Sequence, residues 1–140
     1  MTSRSLWVIR MTLFPSPFNP RRQLNSPATS CGVSTAVATG PDYIREQIHY
    51  IRSQTDSPFG VGFITHRIPL YPQNFETVLE ERVPVILFSF ADPQPWLSRA
   101  KESGAVTVCQ VQALEAARQA VAAGADVLAA QGNESGGHTG

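Results

Sequence analysis

The stretch "VPVILFSF", Val83 to Phe90, is apolar at consecutive positions, so as a strand it must bury both faces. It has companions. "FGVGFIT", "AVTVCQV" and "ADVLAAQ" read as further buried strands, recurring about every 20 to 25 residues with a helical segment between each pair. Strands buried on both faces belong to parallel sheets covered by helices, and right-handed crossovers then give an α/β fold. Two architectures satisfy this pattern, a doubly wound open sheet and a (β/α)₈ barrel. A barrel needs about 250 residues, so about four strand–helix units in 140 residues make only part of one.

The helices have legible faces. "PDYIREQIHYIRSQ" places Ile44, Ile48 and Ile51 on one side, with Pro41 and Asp42 suited to its start. "NFETVLEER" groups Phe75, Val78 and Leu79 on one side, and His49, within the first helix, is expected to face solvent. "PWLSRAKESG" closes at Gly104. "QALEAARQAVAAG" closes at Gly124, with Leu114, Ala117 and Val121 expected inward.

Residues 1–40 have a different texture, rich in Ser, Pro, Thr and Arg. "FPSPFNPRR" excludes a regular helix or a central strand, because proline removes donors and restricts its neighbours. No acidic residue precedes Asp42, whereas Arg4, Arg10, Arg21 and Arg22 do. Such a segment imitates a transit peptide, but an irregular extension explains it more simply. The expected division is an extension over 1–40 and a partial barrel domain over 41–140.

Eleven Lys+Arg balance eleven Asp+Glu, so no net field draws the chain to nucleic acid or a membrane. No apolar run is long enough to span a bilayer. Cys31 and Cys109 lack motif spacing and suit a reduced, cytoplasmic setting. A metal site is not expected, since His49, His66 and His138 lie on separate elements.

In either architecture the chemistry sits beyond the C-terminal ends of the strands. Three loops fall there: "THRIPLYP", "ADPQPW" and "GNESGGHTG". The last nearly fits a phosphate-binding P-loop, but His138 replaces its lysine. Chemistry alone leaves two readings of it. Gly136 and Gly137 let backbone approach a flat ligand, Gln131 offers donor and acceptor to a heterocycle, and His138 can act as a general base. The same residues also suit a plain glycine turn with a solvated histidine.

"GADVLAAQGNESGGHTG" resembles the central signature of flavin-dependent nitronate monooxygenases, formerly called 2-nitropropane dioxygenases. Every position agrees except the apolar slot beside Ala130. Upstream, "PDYIREQIHYIRSQTDSPFGVGFIT", "VPVILFSFADP" and "GAVTVCQVQALEAARQAVAAGADV" look like consecutive units of these barrels. The resemblance implies a TIM-type barrel with FMN across its C-terminal mouth. It implies that Gln131 contacts the flavin, Gly136 and Gly137 supply backbone beside it, and His138 is the catalytic base. It also implies oxidation of nitronates or nitroalkanes with O₂ to a carbonyl compound and nitrite.

Many relatives carry an asparagine where Gly62 stands, so Gly62 offers the flavin only backbone. Their first strand ends in a segment like A-P-M-A-G, which "NSPATSCGVSTAVATG" does not reproduce. The late glycine-rich loops that hold the FMN phosphate in the family are missing. The expectation is therefore an N-terminal-half fragment with exposed edges, prone to self-association. Flavin-dependent enoyl-acyl-carrier-protein reductases share the E-[AS]-G-G-H loop and are the alternative enzyme. A non-catalytic remnant is the alternative outside enzymology.

Overall fold

The computed structural model describes residues 32–34 and 40–134. Five strands run β1 (Gly32–Ser34), β2 (Gly60–Ile64), β3 (Val85–Ser89), β4 (Val106–Val111) and β5 (Val127–Ala130). Four α-helices follow strands β1 to β4 in turn: α1 (Pro41–Gln54), α2 (Pro72–Glu80), α3 (Gln94–Glu102) and α4 (Leu114–Ala122). A 3₁₀ helix, Thr65–Leu70, occupies part of the loop between β2 and α2.

Topology decides between the two architectures. Every strand pairs in parallel with its sequence neighbour, in the order β1-β2-β3-β4-β5. A doubly wound sheet reverses its order and carries helices on both faces. Here Ile44, Phe75, Leu97 and Ala120, one from each helix, join a single core cluster with one face of the strands. The sheet is singly wound, a partial (β/α)₈ TIM-type barrel.

Strand alternation sorts side chains between the two faces. Val61, Phe63, Ile86, Phe88, Cys109 and Val111 face the helices and are buried. The other face carries the register row Gly62, Leu87, Val108 and Val127. Leu87 and Val127 are only half-buried, and Val106 on that face is exposed. Phe75 is the centre of the helix-side core, with ring centroids 5.4 Å from Phe63, 5.4 Å from Trp96 and 6.3 Å from Phe88. Aromatic pairs at these separations add about 0.5–1.5 kcal/mol each beyond the area they bury.

α1 buries Ile44, Ile48 and Ile51, as its spacing predicts. Its polar side is tied to α2 through the Glu81 carboxylate, which meets Arg45 Nε at 3.1 Å, His49 Nε2 at 3.0 Å and Arg52 Nη1 at 3.0 Å. His49 is exposed as expected, and it also lies within hydrogen-bond distance of the Glu81 carboxylate. Burial alone would push the Glu81 carboxyl up; its cationic neighbours hold it below the usual carboxylate range. Gly104 and Gly124 end α3 and α4 in the left-handed region, with φ of +88° and +91°.

One helix face differs from its sequence reading. Leu114 and Val121 are 67% and 53% exposed, and α4 packs through Ala116, Ala117 and Ala120 instead. Small side chains let the helix approach β4 closely, and this contact fixes its rotation against the pull of two larger apolar residues. The short strand β1 is a second difference, lying inside the segment read as irregular.

Candidate active site at the C-terminal mouth of the sheet

The two ends of the sheet are built differently. At the N-terminal end, Asp126 precedes β5 and accepts from the Thr107 backbone N–H at 2.9 Å and the Thr107 hydroxyl at 2.7 Å. Its other oxygen accepts from Lys101 Nζ at 2.9 Å, and the same ammonium donates to the Gly124 carbonyl at 2.7 Å. Burial would raise the Asp126 carboxyl; the Thr107 N–H, Lys101 and the Thr107 hydroxyl together hold it below its usual value. Thr107 is fully buried, so this carboxylate is what satisfies it.

At the C-terminal end the groups are polar and less fully engaged. Gln131 follows β5, extends the ladder by donating its N–H to the Val111 carbonyl at 2.9 Å, and accepts from Gln112 Nε2 at 2.8 Å. Its amide is thereby oriented rather than swinging freely. Ser89, ending β3, donates its hydroxyl to the Phe63 carbonyl at 3.0 Å and ties two strand ends together.

Gly62 lies on the half-open face of β2, between Gly60 and Ile64. A Cβ there would meet Leu87 Cδ2 at 3.5 Å, an ordinary contact, whereas one at Gly60 would stand 3.1 Å from Val85 Cβ. The sheet itself therefore does not demand glycine at 62. Its bare backbone leaves clearance above the face, which suits a flat ligand lying across the strand ends. Gly62 and the oriented Gln131 amide fit the flavin that the sequence implies.

His66 and Phe90 bridge the ends of β2 and β3. His66 Nδ1 lies 3.2 Å from the Phe90 carbonyl. A carbonyl only accepts, so Nδ1 carries the proton and Nε2 is the nitrogen left for another partner. Phe90 has φ of +60°, a left-handed conformation costly for a bulky residue. Beside His66, Thr65 Oγ1 and Arg67 Nε are buried without a hydrogen-bond partner. The sequence showed a polar T-H-R run after an apolar strand, but nothing in it announced the strain at Phe90.

A cavity of about 250 Å³ opens between the ends of β3 and β4 and the alanine face of α4. Phe88, Cys109, Val111, Ala116 and Ala120 line it, with Asp92 and Gln110 at its polar side. Gly62 and Gln131 are not among its walls, so it is a gap on the helix side rather than the mouth. Burial, aided by the charges of Asp126 and Asp92, pushes the Cys109 thiol up to about 12. Cys109 is therefore a protonated, inert core side chain.

Of the residues singled out in the sequence, Gly62 stands midway along β2 and Gln131 directly follows the C-terminal end of β5 in the same sheet. Gly136, Gly137 and His138 lie outside the described residues, as does Cys31. Among the described residues no three His, Cys, Asp or Glu side chains form a metal-binding group, and no helix is long and apolar enough to cross a membrane.

A singly wound parallel sheet of this order defines part of a TIM-type barrel, a fold whose ligand sites lie at the C-terminal ends of the strands. Residues 63–140, more than half of the chain, match the nitronate monooxygenase family. The chain belongs to that family, one of flavin-dependent oxidoreductases. FabK from Thermotoga maritima is similar in structure, with TM-score 0.70 and 37% identity over 75% of this chain and 33% of its own. A nitroalkane oxidase from Streptomyces ansochromogenes superposes with TM-score 0.68 at 26% identity, over 78% of this chain and 40% of its own.

Among curated proteins, a (3aS,4S,5R,7aS)-5-hydroxy-7a-methyl-1-oxo-octahydro-1H-indene-4-carboxyl-CoA dehydrogenase from Mycobacterium tuberculosis is 34% identical over 113 residues. That match covers 81% of this chain and 32% of the relative. The protein of the same name from Rhodococcus jostii is 33% identical over 64% of this chain and 25% of its own. The chain thus spans a third or less of the curated relatives it matches.

Proposed function

We propose that this chain forms the first part of an FMN-dependent nitronate monooxygenase, oxidising nitronates or nitroalkanes with O₂ to a carbonyl compound and nitrite. The observation that carries the reading is the match of residues 63–140 to the nitronate monooxygenase family, a stretch that closes on the "GNESGGHTG" loop beyond the oriented Gln131 amide. Gly62 adds to it as a position midway along β2, on the face opposite the helices, where the sheet has no steric need of glycine.

In this reading the Gly62 backbone and the Gln131 amide hold the isoalloxazine edge, and Gly136 and Gly137 allow backbone to approach it. His138 takes the α-proton of a neutral nitroalkane or, once protonated, holds the nitronate anion. Bound FMN supplies the electron transfer that no side chain can. Residues 41–140 together with β1, Gly32–Ser34, are the barrel part, so that strand shortens the extension expected over 1–40.

The names of the two curated relatives favour one second reading, flavin-dependent oxidation or reduction of an acyl thioester. The enoyl-acyl-carrier-protein reductase alternative is of this kind. One experiment separates the two. The chain reconstituted with FMN is given propane-2-nitronate and O₂, or an enoyl thioester and NAD(P)H. Nitrite release supports the monooxygenase; NAD(P)H consumption without nitrite supports the thioester chemistry.

A further inference from the structure

We propose that His66 and Arg67 form the anion-holding part of the mouth, gripping the oxyanion of a small planar substrate beside the flavin. The inference rests on the flavin reading for its location and on the following geometry for its content. The two residues come directly after the strand that carries Gly62, at the ligand-binding end of the barrel.

The first observation is unmet hydrogen-bonding capacity. Among the described residues, the buried side-chain atoms without a partner are Thr65 Oγ1 and Arg67 Nε, which flank His66. Buried polar groups are satisfied as a rule, so two orphans in one tripeptide call for an absent partner. Charge tells the same story. Arg45, Arg52, Arg99, Lys101 and Arg118 each meet a carboxylate; among the described residues Arg67 and Arg82 meet none, and of these two Arg67 is the one that follows a strand's C-terminal end. A guanidinium is a planar fork of donors and matches a nitronate or carboxylate.

The second observation is the fixed imidazole. Nδ1–H donates to the Phe90 carbonyl, and that bond persists whether or not Nε2 is protonated. When Nε2 also carries a proton, its N–H is a further donor to a bound anion. The ring need not turn to take up this role. The nearest carboxylate in sequence to Phe90, Asp92, is engaged with the Gln94 backbone N–H at 2.9 Å. Phe90 keeps a left-handed backbone that the fold alone would disfavour, and strain of this kind clusters at ligand clamps.

The test uses the full chain and two inert probes of equal shape, isobutyrate and neutral isobutyramide. The His66 ring Cε1–H signal, assigned by its loss in His66→Gln, is followed by NMR during titration without flavin. Isobutyrate should shift it saturably and isobutyramide should not. Arg67→Met should weaken isobutyrate about tenfold, and Arg67→Lys, which keeps the charge but loses the planar fork, should recover only part of the affinity. Equal responses to both probes, no response, or unchanged affinity in Arg67→Met would overturn the proposal.

A separate arm measures FMN and riboflavin retention. If Arg67→Met abolishes the preference for FMN and leaves isobutyrate binding intact, the pair holds the cofactor phosphate and the substrate role is wrong. If FMN fails to bind at all while isobutyrate still shifts His66, the flavin reading fails and the anion site stands.

Discussion

The N-terminal and C-terminal ends of this sheet carry polar groups in opposite states. At the first, Asp126 satisfies Thr107 twice and binds Lys101, which in turn reaches the Gly124 carbonyl. At the second, Thr65 Oγ1 and Arg67 Nε lack partners, Phe90 sits at positive φ and Gly62 leaves space unfilled. One end is arranged for stability. The other carries unsatisfied donors and backbone strain, which the satisfied end and the aromatic core around Phe75 must offset.

Removing the staple gives the largest effect expected from this contrast. Asp126→Ala leaves the buried Thr107 N–H and hydroxyl without their acceptor and should cost about 2–3 kcal/mol in urea unfolding. It should leave the ligand preferences of the surviving folded protein alone. A pH series sharpens the point. The folded Asp126 carboxyl lies below its unfolded value, so its stabilisation is complete above that value and is lost as pH falls through the folded one. From about pH 4 downward, the stability advantage of wild type over Asp126→Asn should shrink.

Gly62→Val tests the other end. Its Cβ meets Leu87 at an ordinary distance, so stability should change by less than about 1 kcal/mol. Flavin affinity should fall about tenfold or more, because the branched side chain occupies the face where the ligand lies. Equal losses of stability and affinity would erase the distinction between the two ends.

The smallest effect separates two strained residues. Arg82, at φ +47° where α2 ends, and Phe90, at the mouth, are both non-glycine residues with left-handed backbone. Arg82→Gly should gain up to about 1 kcal/mol in thermal unfolding with no change in flavin or anion binding. Phe90→Gly should disturb the His66 ring signal, since it frees the carbonyl that anchors Nδ1.

Much of the architecture was legible because it is periodic. Ile44, Ile48 and Ile51 announced α1, and the doubly apolar "VPVILFSF" announced a central parallel strand. Periodicity leaves the choice of barrel over doubly wound sheet open, since it carries no strand order; the resemblance of "GADVLAAQGNESGGHTG" to the nitronate monooxygenase signature implies the barrel. The face of α4 differs from its sequence pattern because hydrophobicity favours Leu114 and Val121, while close packing on β4 favours alanine. β1 is three residues long in a Ser- and Thr-rich context, too short for any alternation to show.

The site was legible unevenly. Gln131 and the glycine-rich loop stood out by residue type. Gly62 was visible only as a backbone candidate, and its reason, clearance without steric need, required the position of Leu87. His66 was seen as an isolated histidine; its anchoring on a strained carbonyl from the neighbouring strand is a tertiary fact. Asp126 and Thr107 are 19 residues apart in sequence, and no local pattern links them.

Flavin binding at this mouth is the central claim, and FMN fluorescence quenching tests it most directly. The account predicts saturable quenching by the full chain, weakened about tenfold by Gly62→Val and unchanged by Asp126→Asn at neutral pH. Absence of saturable quenching, or quenching indifferent to Gly62→Val, would contradict it.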